Sequence, residues 1–252
     1  MTTSGALRTE GLRHTFRGFV AIDGVSLDVQ AGARHALIGP NGAGKTTLIN
    51  LLTGVLRPDA GEVMLGRERI TRMAPHVRVK RGLARTFQLN TLFAGLTVLE
   101  SVTLAVCERR GECGDWLRPL SSRRTAVDEA QRLLRSLAID DEAGRLTREL
   151  PYGKQRLVEI ALALATRPNV LLLDEPAAGV PAGESRQLFE TIELLPAEMT
   201  ILLIEHDMSL VFRFAQRITV LAAGRVVAEG PPAEIAADAR VRELYLGDEH
   251  HV

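Results

Sequence analysis

Aromatic side chains make up only 4% of the 252 residues, with a single tryptophan, Trp116, and there are only two cysteines, Cys107 and Cys113. A core must therefore be built mainly from Leu, Val, Ile and Ala. Neither cysteine has a further Cys or His at metal-ligand spacing, which argues against a disulfide scaffold and a zinc site and leaves two thiols suited to a reducing compartment. Net charge is also missing: 31 basic residues meet 31 acidic ones, so no global positive field is present to hold nucleic acid or an anionic membrane. The longest uninterrupted apolar run, 160–165, falls far short of the roughly 20 residues that cross a bilayer. Residues 1–8 are small and polar and lack an export-signal pattern, so a cytoplasmic location is expected. Internal repeats and low-complexity tracts are absent. What is present, 46% hydrophobic and 25% charged residues, is the balance of a globular domain.

Periodicity gives the organisation. Short alternations from Leu7 to Asp28, broken by Gly18 and Gly24, read as strands and a hairpin. A brief apolar strand, 35–38, enters a glycine-rich loop, and residues 46–52 follow as a helix ending at Gly54. From about 99 to 149, Glu, Arg and Ala become frequent, and Ala130, Leu133, Leu134 and Leu137 have helical spacing; an exposed loop with Gly111, Gly114, Pro119, Ser121 and Ser122 divides this stretch. Thereafter a helix near 154–165, a strand at 170–173, a helix near 183–195 and a strand at 200–204 alternate, as in a parallel sheet covered on both faces. One domain is expected over 1–252, with an α/β core in 1–98 and 150–252 and a helical insertion at 99–149. The last residues, with His250 and His251, read as a frayed tail.

Gly39, Pro40, Asn41, Gly42, Ala43, Gly44, Lys45 and Thr46 match G-x-x-x-x-G-K-[ST], with Thr47 next in line, and the motif lies between a strand and a helix as a phosphate loop requires. Glycines let backbone N–H groups turn toward phosphate oxygens, and the helix adds its positive end. Lys45 reaches the outer phosphates and Thr46 supplies a Mg²⁺ ligand. The segment 170–175 is an apolar strand ending in two carboxylates. It places Asp174 where a nucleotide-bound Mg²⁺ would sit and Glu175 where it can polarise an attacking water.

Between these motifs lies Leu150-Pro151-Tyr152-Gly153-Lys154-Gln155-Arg156, before the helix that feeds the acidic strand, and here the chain resembles the ATP-binding subunits of ABC transporters. The order of five motifs carries the resemblance: the phosphate loop, Gln88 in Arg85-Thr86-Phe87-Gln88, the signature at 150–154, the acidic strand, and His206 in Ile204-Glu205-His206-Asp207. The resemblance implies a P-loop NTPase core with a mainly parallel sheet, an amino-terminal antiparallel β subdomain and an inserted helical subdomain. It implies that Gln88 contacts Mg²⁺ or the attacking water, and that His206 donates to the γ-phosphate. Phe16 would stack on adenine, with Phe19 close enough to compete. Pro151, Tyr152, Gly153 and Lys154 would meet the nucleotide of an opposite subunit. Pro151 stands where the commonest signature has serine, and losing one such donor can cost on the order of 10²-fold in rate. Pro181, in Ala178-Gly179-Val180-Pro181, replaces the usual carboxylate or amide of the segment after the acidic strand.

The local phrases at 85–88, 150–156 and 174–179, with 230–235 and 245–247, are similar to the branch that serves branched-chain and other hydrophobic amino acids. The resemblance implies ATP and Mg²⁺ as cofactors and a second ATP-binding subunit in a homo- or heterodimer. It further implies two transmembrane permease subunits, an indirect extracytoplasmic substrate-binding protein, and a peripheral place on the cytoplasmic face of the inner membrane. Related importers of urea, amides or aromatic acids, lipopolysaccharide export, and a non-transport ATPase on nucleic acid are the alternatives. The zero net charge and the lack of basic extensions speak against nucleic acid.

Overall fold

The computed structural model describes residues 5–86, 93, 95–114 and 119–246, arranged in two compact units. The first takes in residues up to 83 together with 169–175 and 197 onward; the second takes in 84–168 and 176–196.

In the first unit, β1 (Leu7–Phe16) and β2 (Phe19–Val29) form an antiparallel hairpin with Leu7 opposite Val29 and Phe16 opposite Phe19. Arg17 and Gly18 both have positive φ, 45° and 93°. That is the signature of the two-residue turn whose twist suits a hairpin, and it sets the two phenylalanines side by side at the tip. β3 (Arg34–Ile38) leads into α1 (Lys45–Thr53). Next come β4 (Ala60–Leu65), β5 (Glu68–Arg69), α2 (Pro75–Lys80) and β6 (Leu83–Arg85). The antiparallel sheet runs β2-β1-β4-β5.

Helix α1 stops at Gly54, which has φ +81°, and its last turn is held by the buried Arg78 of α2. The guanidinium donates to Leu51 O at 2.8 Å, Leu52 O at 2.5 Å, Thr71 O at 2.8 Å and Met73 O at 3.0 Å. It neutralises the partial negative charge at the end of a helix that has no basic residue in its own last turn.

In the second unit, α3 (Val98–Arg110) opens with a capping box in which Thr97 Oγ1 accepts from Glu100 N and Glu100 returns a carboxylate to Thr97 N. It packs with α4 (Arg124–Ser136) and α5 (Tyr152–Ala165) through Val98, Val102, Val106, Ala126, Ala130 and Leu134, all buried. Glu129 of α4 accepts a two-pronged contact from Arg109, both bonds 2.8 Å, and a third from Arg167 at 2.9 Å. The Arg109 bonds foremost hold its carboxyl down at about 2. α6 (Ala182–Glu193) completes this unit, which therefore contains α5 and α6 as well as the 99–149 stretch.

The remaining elements are β7 (Val170–Asp174), β8 (Thr200–Ile204), α7 (Met208–Phe214), β9 (Arg217–Ala222), β10 (Arg225–Gly230), α8 (Pro232–Ala237) and α9 (Ala239–Leu246). The larger sheet has the order β10-β9-β3-β8-β7-β6. β3, β7, β8 and β9 run parallel, β10 pairs antiparallel to β9, and β8 is buried along its whole length, as a sheet covered on both faces requires. No helix among the described residues is long and apolar enough to cross a membrane.

Candidate nucleotide site

Three adjacent parallel strands end at one edge of the larger sheet. Leu37 of β3 lies in register with Ile204 of β8, and Ile204 with Asp174 of β7. The chain leaving β3 carries the loop from Gly39, that leaving β8 carries Glu205 and His206, and that leaving β7 carries the acid Glu175. Carboxyl edges of parallel strands are where such sheets bind ligands. Here the hydrogen-bond register itself brings three distant motifs together.

The loop is shaped by two glycines that no other residue can replace without displacement. A Cβ on Gly39, φ +153°, would lie 2.0 Å from Leu221 O, and one on Gly44, φ +104°, would lie 2.8 Å from Ala21 O. With the loop seated on β2 and β9, α1 begins at Lys45 without any side-chain cap and without an acid in its first turn. Its first amides therefore have no intrahelical acceptor, which suits an anion. Lys45 is buried, and its Nζ donates to Gly39 O at 2.6 Å and Pro40 O at 3.1 Å. Burial lowers its ammonium below the ordinary lysine range, while the carboxylates of Glu175 and Asp174 oppose that shift.

A cavity of about 260 Å³ opens over the loop, lined by Phe16, Phe19, Ala21, residues 41–47 and Glu175. The lining joins the hairpin tip to the phosphate loop, so a flat apolar group and a polyanion can be held in one site. Phe16 and Phe19 both belong to it and are both exposed; the alternative between them stays open because the turn sets them as a pair. Glu175 has φ +48°, a left-handed conformation rare for a residue with a side chain, and its N–H donates to Ile204 O at 2.9 Å. Backbone in this region costs on the order of 1 kcal/mol or more and concentrates at functional sites. His206 is largely exposed, 65% at the side chain. The buried Glu205 beside it accepts from His206 N at 3.1 Å. Asp174 and His206 lie at neighbouring strand ends, outside the cavity lining. The Thr46 hydroxyl and the Asp174 carboxylate are hard oxygen donors of the kind Mg²⁺ takes. Gln88 lies outside the described residues.

The signature belongs to the second unit. Pro151 precedes α5 without a side-chain cap, and Gly153 N donates to Glu184 Oε2 at 3.0 Å. Lys154 is committed to acids: its Nζ contacts Glu142 Oε1 and, at 3.3 Å, Asp141 Oδ2, and the Glu142 bond foremost raises its pKa. Two residues that sequence reasoning passed over stand out here, Arg156 and Glu184. The only sequence signal for Glu184 was its place in the first turn of α6; Arg156 has two local partners, Tyr152 and Glu159 at helical spacing, and one distant one, Ala178 O.

A family model described as ABC transporter matches residues 22–178, and one described as branched-chain amino acid ATP-binding cassette transporter matches residues 225–251. The chain is 38% identical to the high-affinity branched-chain amino acid transport ATP-binding protein BraF of Pseudomonas aeruginosa, over 96% of this chain and 98% of that one. It is 40% identical to the protein of the same description, LivG, of Salmonella typhimurium, again over 96% and 98%. Among solved structures, the ADP conformation of MJ1267, an ATP-binding cassette of an ABC transporter, superposes with a TM-score of 0.85 at 34% identity, covering 96% of this chain and 98% of that one. A dimeric bacterial cassette, MJ0796, shares the fold with a TM-score of 0.75 at 24% identity, covering 90% of this chain and 98% of that one.

Proposed function

Because the chain belongs to the family of ATP-binding subunits of ABC transporters, we propose that it binds and hydrolyses ATP to power uptake of branched-chain or other hydrophobic amino acids. The observation that carries the reading is the register of β3, β8 and β7, which sets the lysine-filled phosphate loop beside Asp174 and Glu175.

The residues act as follows. The hairpin phenylalanines hold the adenine face. The loop amides and the amino end of α1 take the phosphates, and Lys45 moves from its loop carbonyls onto the outer phosphate oxygens. Thr46 and Asp174, with Gln88 as the resemblance implies, would hold Mg²⁺, which would supply neutralisation of charge developing on the transferred phosphoryl group. Glu175 accepts a proton from the attacking water, and His206 donates to the γ-phosphate. Each chain supplies these groups to one site and residues 150–154, at the amino end of α5, to the site of a second ATP-binding subunit. Closure and opening of that pair would be transmitted to two permease subunits at the cytoplasmic face of the membrane, with the cargo delivered by an extracytoplasmic binding protein. The absence of excess positive charge favours this over a nucleic-acid partner.

The test is a pair of variants in a purified ATPase assay. Lys45→Ala should lose nucleotide affinity. Glu175→Gln should keep it, lower kcat by roughly 10²–10⁴-fold and accumulate an ATP-bound dimer on size exclusion. Wild-type turnover in Glu175→Gln would remove Glu175 from the role of base.

A further inference from the structure

Within the first unit, the phosphate loop rests on a turn from the carboxyl-terminal part of the chain. β9 and β10 join through Ala223 and Gly224, with Ala222 opposite Arg225, and both turn residues have positive φ, 46° and 74°. This is the two-residue turn that the twist of a hairpin prefers, adopted at Ala223 by a residue whose side chain makes that conformation uncommon. The turn is not left to solvent. Gly224 is buried, its N–H donates to Ala43 O at 3.0 Å, and its carbonyl accepts from Asp23 N at 2.9 Å. A Cβ on Gly224 would lie 2.6 Å from Ala21 O, the same carbonyl that excludes a Cβ from Gly44. Beside the turn, Arg225 Nε donates to Asp23 Oδ2 at 3.0 Å and clips β10 to β2.

The bond to Ala43 O also aims the donor on the other side of the same peptide. A trans peptide is planar, and its C=O and N–H point in opposite directions. Ala43 O points at the turn, so Gly44 N–H points away from it, and Gly44 belongs to the cavity lining together with Asn41, Gly42, Lys45 and Thr46. The neighbouring groups are already spent: Ala43 N donates to Pro40 O at 3.2 Å, and Gly44 O accepts from Leu48 N at 2.8 Å. Gly44 N–H has no acceptor among the described residues. A donor fixed before its ligand arrives costs no reorganisation when the ligand binds. In this loop the fixing has to come from outside, because Gly42 and Gly44 restrain their own backbone least of all residues.

We propose that Gly224 is a positioning residue of the nucleotide site: its N–H holds Ala43 O and thereby turns Gly44 N–H toward a phosphate oxygen of the bound nucleotide. The proposal rests on the reading that residues 39–46 hold the phosphates. It ties the site to the β9–β10 hairpin, which Asp23 secures from β2 through its N–H and its carboxylate. Nucleotide and turn then strengthen each other. A phosphate that accepts from Gly44 N–H polarises the peptide and makes Ala43 O a better acceptor for Gly224, and linkage requires the effect to be mutual.

The experiment uses the whole chain with two probes, ADP and inorganic tripolyphosphate, the second carrying phosphates and no base. Affinity for each is measured for wild type and Gly224→Ala, with the thermal midpoint of the free chains, and amide hydrogen exchange is followed in wild type with and without ADP. Gly224→Ala should weaken ADP and tripolyphosphate by the same factor, roughly 10-fold or more. In wild type, ADP should slow exchange at residue 224 by roughly 5-fold or more beyond any slowing of the other β10 amides. A folded Gly224→Ala chain that keeps wild-type affinity for both probes, or loses affinity for ADP alone, would overturn the proposal. So would exchange at residue 224 that ADP leaves in step with the rest of β10, a result read on wild type and valid even where Gly224→Ala does not fold. Wild type that binds neither probe would overturn the reading of residues 39–46 as the phosphate site, and the proposal with it.

Discussion

His35 shows how a single residue in this fold couples stability to pH. Its ring is wholly buried in β3, with Nε2 at 2.8 Å from Thr219 Oγ1, which in turn donates to Glu229 at 3.1 Å. Burial pulls its pKa down from 6.5 to about 4; Glu229 opposes the shift and Arg217 adds to it. The folded chain keeps the ring neutral while the unfolded chain protonates it below 6.5. Stability is therefore lost as pH falls from 6.5 toward about 4, by on the order of 3 kcal/mol at most. Urea unfolding of wild type and His35→Gln across that window should show a step in the difference curve; a flat difference would contradict the assignment. Nothing in the sequence marked His35, because burial and the Thr219 partner come from strands far apart in the chain. The places of Lys45, Asp174 and Glu175, at the start of α1 and the end of β7, were legible because they depend on local pattern: a strand, a turn, and the residue types at its end. The pairing of Phe16 with Phe19 shows the opposite limit, since two residues at one hairpin tip cannot be separated by sequence position.

At the scale of elements, α1 and β7 were legible almost to their ends, because Gly54 closes the first and carboxylates close the second. Less legible was what secures them. Arg78 belongs to no motif in the sequence, yet it is fully buried and caps α1 from α2 across more than 20 residues of chain. Burial lowers its pKa to about 10, so it remains charged at neutral pH and its bonds to carbonyls are charge-assisted. Arg78→Gln should cost about 3 kcal/mol and lower the thermal midpoint by roughly 6–12 °C, measured by calorimetry. A change under about 0.5 kcal/mol would mean that the carbonyls find other donors. The same reasoning explains why the second unit's stitching at Arg156 escaped notice: its acceptor, Ala178 O, is a backbone atom with no sequence signature.

At the scale of the molecule, the sequence features that first excluded functions acquire a positive sense. Basic and acidic residues balance, and no helix among the described residues is long and apolar enough to cross a membrane; on the function proposed above, the membrane is reached through permease subunits. On that same proposed function, the three-strand register supplies a nucleotide site and the amino end of α5 serves the site of a second chain. The central claim, that ATP hydrolysis at this site powers amino-acid uptake, is tested most directly by transport of labelled leucine, isoleucine and valine in a strain lacking this gene. The account predicts that uptake is lost, restored by the wild-type chain and not restored by Glu175→Gln. Uptake that is unaffected by the deletion, or restored equally by Glu175→Gln, would contradict it.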